Sequence, residues 1–347
     1  MNFFLRIILI ALVFCMPPPK AQASDQNLKL WNTQYKNSSV CSYNYGRPWA
    51  PIAERTYNKD IKGYSWPHAD SSAQQFIDFM QRDLNIAAVN GSADTRIKRR
   101  LLQAASTNAF SKLDFESPGG PSPSFASALV ALTSSFAYDY LITKGALTTA
   151  ESKLIRVWTK KLLNNSTKRS YSEDHKMQIL TARLAFAAAT KNTSDFQKHV
   201  SSLQRKLKRL KNPYFVNDTR NNNETIQHAV IAAHIAEQNN YEIFHEKFGS
   251  YSLLDVLSAH AASMRSVKGK KITTAGDEKE IARSIFRPQG NGAHLAWIPV
   301  AMIYGASTNQ GKEISRLHRE LRKTISNPYW GLAMGIHSGC FFGKAPR

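Results

Sequence analysis

From about residue 71 onward, apolar residues return every three or four positions, which is the spacing of one helix face after another. The stretch "SSAQQFIDFMQRDL" sets Phe76, Phe79, Met80 and Leu84 on a single stripe. "PSFASALVALTSSFAYDYLITKG" is apolar on nearly every side and runs into Gly145, a residue suited to ending a helix. In "LTTAESKLIRVWTKKLLNN" the predicted inward stripe is Leu154, Ile155, Trp158 and Leu162, and Thr148 with Glu151 has capping-box spacing. Ser170 and Glu173 repeat that spacing ahead of "EDHKMQILTARLAFAAAT". "ETIQHAVIAAHIAEQ", "SLLDVLSAHAASMRSV", "AHLAWIPVAMIYGA" and "GKEISRLHRELRKTI" continue the series, and strand signals are scarce.

Helices joined by short polar turns, several of them apolar around most of their circumference, predict an all-α protein. The expected architecture is a two-layered (α/α) toroid or incomplete helical barrel spanning residues 71–347. "EDHKMQILTARLAFAAATKNTSDF" and "NNNETIQHAVIAAHIAEQNNYEIF" have equal length and each closes on an aromatic after a polar turn, as stacked helix pairs would. "ESPGGPSPS" (116–124) reads as a turn between layers. Residues 24–70 lack a clear period. Within them, 40–68 are rich in Tyr, Trp, Arg and Pro, a composition that suits either a lid over one mouth of the toroid or simple packing onto the helical body.

Composition changes the picture at two points. Residues 1–23 have the form of a secretory signal: Arg6, an apolar run from Ile7 to Met16, and Ala21-Gln22-Ala23 as a cleavage site. The run is too short to span a bilayer, and bulky Phe14 before Cys15 argues against a lipid anchor. The mature chain is therefore expected to be periplasmic or secreted, monomeric and without stable membrane insertion. Losing Arg6 and Lys20 lowers the formal charge from +21 by two, to +19. On an exported protein such a charge points to a polyanion such as an acidic polysaccharide rather than to nucleic acid, unless it serves solubility alone. Cys41 and Cys340 are the cysteines left after cleavage. Oxidised, they would close a loop worth on the order of 5 kcal/mol; as free thiols they would do nothing comparable. No CxxC or Cys/His cluster suggests zinc, and neither a metal nor an organic cofactor is expected.

The candidate chemistry begins at His175, an ionisable ring in the first turn of an otherwise apolar helix. At a helix N-terminus the dipole disfavours imidazolium and keeps the ring neutral and basic; a capping or packed histidine is the plainer alternative. Around this residue the chain resembles the periplasmic alginate lyases of polysaccharide lyase family 5. That family carries Asn-Asn-His at a helix start, an Arg several dozen residues on, and a Tyr seven residues later followed by His. "SEDHKMQILTARLAFAAATKN" is similar to the first segment, with Glu173-Asp174-His175 in the Asn-Asn-His place. "NDTRNNNETIQHAVIAAHIA" is similar to the second, with Arg220 in the arginine place and Gln227-His228 where Tyr-His would fall. In a competing register Asn221, Asn222 and Asn223 take the Asn-Asn-His place and Arg283 the arginine place, at the cost of the histidine. The resemblance covers residues from about 40 to the C-terminus, terminal cysteines included, and implies an (α/α) toroid that cleaves a uronate polymer by β-elimination.

That reaction needs a base for a weakly acidic proton, an acid for the leaving oxygen, and donors for charge gathering on the uronate carboxylate. The resemblance implies His175 as base or carboxylate neutraliser and Arg220 as a bidentate carboxylate clamp. Asp174, Gln227, His228, Tyr171, Asn221 and Asn222 are supporting or substrate-binding candidates. An amide at Gln227 cannot replace the family's phenol, although Tyr171, Tyr214 or a tyrosine of the 43–64 stretch could supply one. Asp174 repels a carboxylate unless it is protonated or paired. The departures leave two other readings: a polysaccharide-binding protein that lost the chemistry, and a glycoside hydrolase pairing Asp174 with Asp218 or Glu224. Basic runs at 95–100, 204–211 and 268–271 are either a polyanion track or solvated helix faces.

Overall fold

The computed structural model describes residues 28–30, 57, 59–62, 72–90, 93–115, 123–168, 173–209, 219–266 and 295–323. The proposed signal, Cys41, Cys340, Ser170, Tyr171, Tyr214, Asp218, the 268–271 run and Arg283 lie outside the described residues, as does the lid candidate at 40–68 apart from residues 57 and 59–62, where Tyr57 and Ile61 are buried against the helical body. Ten helices occur among the described residues: α1 (Ser72–Asn90), α2 (Asp94–Ser106), α3 (Pro123–Thr143), α4 (Thr149–Asn165), α5 (Glu173–Ala189), α6 (Thr193–Lys208), α7 (Thr219–Glu237), α8 (Leu253–Ser266), α9 (Trp297–Gly305) and α10 (Asn309–Arg322). Two three-residue strands, β1 (Asp60–Lys62) and β2 (Lys112–Asp114), pair in parallel.

The helices form two rows because the sequence supplies two kinds. In α3 every residue from Pro123 to Leu141 is buried, and in α9 all but two are, so these helices need cover on all sides. By contrast α2 buries Ile97, Leu101, Ala104 and Ala105, α6 buries Phe196, Val200, Leu203 and Leu207, and α10 buries Gly311, Ile314, Leu317 and Leu321. Each of those is one stripe with the opposite face in water. Odd-numbered helices pack on one another in sequence (α1 on α3, α3 on α5, α5 on α7, α7 on α9), and even-numbered ones cover them. This is the two-layered toroid that the periodicity predicts.

The direction of the inner row follows from its contacts. Tyr140 near the end of α3 reaches the Ala87 carbonyl near the end of α1 (3.4 Å), and Lys191, just past α5, reaches Asp139 of α3 (3.2 Å). Lys191 also donates to the Leu28 carbonyl, while Asn239, just past α7, bonds both backbone groups of Lys29. The residue 28–30 segment thus ties the C-terminal ends of α5 and α7. On the other side, Trp297 at the start of α9 donates to Asn223 near the start of α7, and Tyr304 at its end meets His234. All five inner helices run parallel, with their N-termini at one rim. The outer helices run back: Tyr138 meets Ser152 and Ser127 meets the Leu162 carbonyl between α3 and α4.

Local signals act as expected at several joints. Gly145 takes φ +64° after α3, and the Thr148–Glu151 capping box closes in both directions at α4. Phe196 and Phe244, the aromatics that close the two echoing segments, are both fully buried. One expectation fails: Leu154 does not join the inward stripe of α4. Ile155, Trp158 and Leu162 are buried, whereas Leu154 is 39 % exposed, because Ile155 already occupies the packed side and the next residue faces away by about 100°.

Candidate active site at the rim of the inner helices

The first turn of α5 places Glu173, Asp174 and His175 on the rim where the inner N-termini converge. The His175 ring leans on Phe125 of α3, centroids 4.6 Å apart, and its side chain keeps 18 % of its surface exposed. It is therefore neither swallowed by hydrocarbon nor freely solvated. Its Nε2 lies 4.0 Å from Asp174 Oδ2, too far for a hydrogen bond but close enough for attraction. Burial pushes the ring's pKa down and the neighbouring Asp174 charge pushes it back up, with burial winning. His175 is a neutral imidazole at neutral pH, the state a proton acceptor needs.

Helix α7 stands beside α5, and one contact fixes their register: Thr181 Oγ1 donates to the His228 carbonyl at 2.8 Å. Counting eight residues back along each parallel helix sets Arg220 level with Glu173, so the first turn of α7 borders the turn that carries His175. The side chains of Arg220, Asn221 and Asn222 lie outside the described residues. Seven residues make about two helical turns, so Gln227 occupies the same face as Arg220, deeper in the row.

Below the rim the site turns polar without pairing. Gln227 is wholly buried, and neither amide atom has a hydrogen-bond partner among the described residues. His228, also fully buried, has no partner among them on either ring nitrogen; burial pushes its pKa down to about 3, and its ring stands 6.3 Å from Phe125. Gln178 donates to the Phe125 carbonyl at 3.2 Å but leaves its Oε1 unpaired among the described residues. Such groups cost stability unless something meets them. Next to them is a fully paired cluster: Asn223 Oδ1 accepts from Trp297 Nε1 at 3.0 Å and meets His260 Nε2 at 3.1 Å, binding α7 to α8 and α9.

The basic runs divide. In 95–100, Arg96 and Arg100 both bond the buried Asp83, at 3.0 and 2.9 Å, and Lys98 bonds Glu151 and the Ala146 carbonyl. Those three cations fasten α2 to its neighbours, which corrects a polyanion track there. The described part of 204–211 ends α6 beside the α5 first turn: Lys206 and Lys176 both bond Glu173, at 3.1 and 2.7 Å, and Lys208 and Arg209 are exposed. Of the catalytic candidates, then, the fold places His175 and Asp174 at the rim, Gln227 and His228 beneath it, and the turn bearing Arg220 alongside.

Phe125, Gln178, His260 and Trp297 are not among the candidates that the sequence offers, and Asn223 is one only in the competing register. Gln178 carried a signal, being a polar residue three positions after His175 inside an apolar run. The Asn223–His260–Trp297 cluster carried none, since its members come from three helices. Glu224 lies in α7 four residues past Arg220, and its proposed hydrolase partner Asp218 lies outside the described residues. Among the described residues no group of three or more His, Cys, Asp or Glu side chains gathers to hold a metal.

The sequence matches no family model and no curated protein. By shape, the chain is similar to solved structures of alginate lyase A1-III. The crystal structure of that enzyme from Sphingomonas species A1 superposes with a TM-score of 0.67 at 12 % identity, covering 95 % of this chain and 99 % of that one. Two variants solved with a tetrasaccharide match equally well. A histidine-to-alanine form has TM-score 0.66, 12 % identity, and coverage of 96 % here and 99 % there. A tyrosine-to-phenylalanine form has TM-score 0.67, 12 % identity, and coverage of 96 % and 100 %. Nearly the whole chain therefore has the alginate lyase (α/α) toroid fold.

Proposed function

We propose that this is an exported polysaccharide lyase-like enzyme that cleaves a uronate-containing polymer by β-elimination at the rim of its inner helices. The observation that carries the reading is His175: a half-buried imidazole, neutral at neutral pH, on a rim built from parallel helix N-termini. Those termini favour bound anions, and the exposed Lys208 and Arg209 add charge of the same sign beside them, Lys176 and Lys206 being paired with Glu173. In this reading the substrate carboxylate sits over the α5 and α7 first turns, where Arg220 clamps it, and His175 takes the proton next to it. As negative charge moves onto the carboxylate, the guanidinium and the helix ends stabilise it. The solved relatives in fold that hold a tetrasaccharide support a sugar chain as ligand.

A second reading is favoured by Gln227. It stands where the resembled family has its phenol, and an amide cannot serve as proton donor to the leaving oxygen. Among the described residues the aromatic ring touching His175 is Phe125, which carries no hydroxyl, and the hydroxyls of Tyr138, Tyr140 and Tyr304 are engaged at Ser152, Asp94 and His234. A protein that kept the cleft and lost the chemistry would look like this. Incubating the purified protein with a panel of uronic-acid polymers separates the readings. Ultraviolet absorbance from an unsaturated sugar end together with new reducing ends is the expected result, and His175→Ala abolishes both. Reducing ends alone mean hydrolysis, and retention on polymer with neither signal means a binding protein; either outcome overturns the lyase.

A further inference from the structure

Large hydrophobic side chains exposed among the described residues occur at two positions, Leu154 and Val157, and both are on α4. Val157 is 63 % exposed, far more than an aliphatic residue needs to be on a helix that already buries Ile155, Trp158, Leu162 and Leu163. They lie three residues apart, so they stand on adjacent turns of one face. The solvent-facing side of α4 also carries Lys153, Arg156, Lys160 and Lys161, all exposed and spread to both sides of Val157, and none of the four forms an ion pair among the described residues. The neighbouring acid, Glu151, is taken by Lys98 and by the helix cap. Beside this face Leu154, Leu102, Lys98 and Arg99 line an open groove of about 670 Å³ between α2 and α4.

We propose that this α4 face is a docking surface for an anionic lipid bilayer. Two branched aliphatics ringed by long cationic side chains is the arrangement that settles at a membrane interface. The aliphatics enter the headgroup–acyl boundary, while lysine and arginine stems lie along it and keep their charges at the phosphates. The charge selects anionic lipid, each cation near such a surface adding attraction. The chemistry fits other occupants less well. Sugar rings pack on aromatic faces, and this face has none. A stable protein partner needs a contact of roughly 800 Å² on each side, which two aliphatics and a shallow groove do not anchor. The contact would be peripheral and reversible. It lies on the outer wall formed by α2 and α4, away from the α5–α7 rim, so a docked molecule keeps that rim open.

Sedimentation with vesicles tests the proposal on the purified, processed protein. Phosphatidylcholine vesicles containing phosphatidylglycerol are expected to bind it, and pure phosphatidylcholine vesicles are not. Lys153→Gln, Arg156→Gln, Lys160→Gln and Lys161→Gln together weaken binding about a thousandfold. Leu154→Ser with Val157→Ser weakens it about tenfold at unchanged charge. All six positions are exposed, so thermal unfolding at the wild-type temperature certifies that the variants are folded. Equal binding to both vesicle types overturns the proposal, as does unchanged binding by the charge variant. If the apolar pair has no effect and a soluble polyanion displaces the protein, the face reads charge on a polymer and the lipid assignment falls.

Discussion

Gln227→Met is the perturbation that probes the site most directly. The amide is completely buried, and neither its nitrogen nor its oxygen has a partner among the described residues. A buried polar group left unpaired costs about 1–3 kcal/mol. Methionine has nearly the same length and no such demand, and a volume-conserving swap costs less than about 1.5 kcal/mol in packing. With that packing cost set against it, the variant is expected to be more stable by up to about 3 kcal/mol, seen as a higher urea midpoint at an unchanged slope. The gain has a functional counterpart: an amide kept at a cost to stability is an amide that a bound sugar uses, so the same variant is expected to lose retention on polymer. A lower midpoint in Gln227→Met would refute the reasoning, since it would mean that the amide was already satisfied in the free protein.

Three further outcomes follow from the fold. Burial pushes His228 and His234 down to about 3 and His260 to about 4, whereas an unfolded chain protonates such rings near 6.5. Below that value the unfolded state binds more protons, so stability falls as pH drops from 6.5 toward the folded values. Urea titrations at about pH 6.5 and about pH 5 should show His228→Gln losing about 2 kcal/mol less than wild type, and equal losses would contradict the assignment. Arg96→Gln with Arg100→Gln strips Asp83 of both cations; a drop of about 2–4 kcal/mol in unfolding free energy with unchanged polymer retention is expected, because these arginines hold α2 rather than substrate. A Cβ on Gly311 would run into the Gly305 carbonyl where α9 turns into α10; Gly311→Ala should lower the unfolding free energy by more than about 2 kcal/mol, and a wild-type melting curve would show that this corner yields.

Much of the helical body was legible because its signals are local. The capping box at Thr148, the stop at Gly145, and the helical period of α10 depend on residues within one or two turns. The site was legible only in outline. His175 announced itself as an ionisable ring in an apolar helix, and its place on the rim agrees with that. The basic run at 95–100 misled, because nothing local says that Asp83, on another helix, takes Arg96 and Arg100. Leu154 misled too, since a four-residue apolar cluster on α4 holds more candidates than the packed side can accept.

By itself the sequence determined an all-helical chain, the two kinds of helix that sort into inner and outer rows, and a histidine in the first turn of an apolar helix as the candidate for the chemistry. Periodicity and capping are properties of neighbours along the backbone, and they survive without knowledge of the fold. Only the tertiary structure decided that the five inner helices run parallel and bring their N-termini to one rim. It alone showed that Gln227 and His228 are buried without partners among the described residues, and that Asn223 joins Trp297 and His260. Those facts join residues far apart along the chain, and what sets them is which helices the burial of apolar surface forces together.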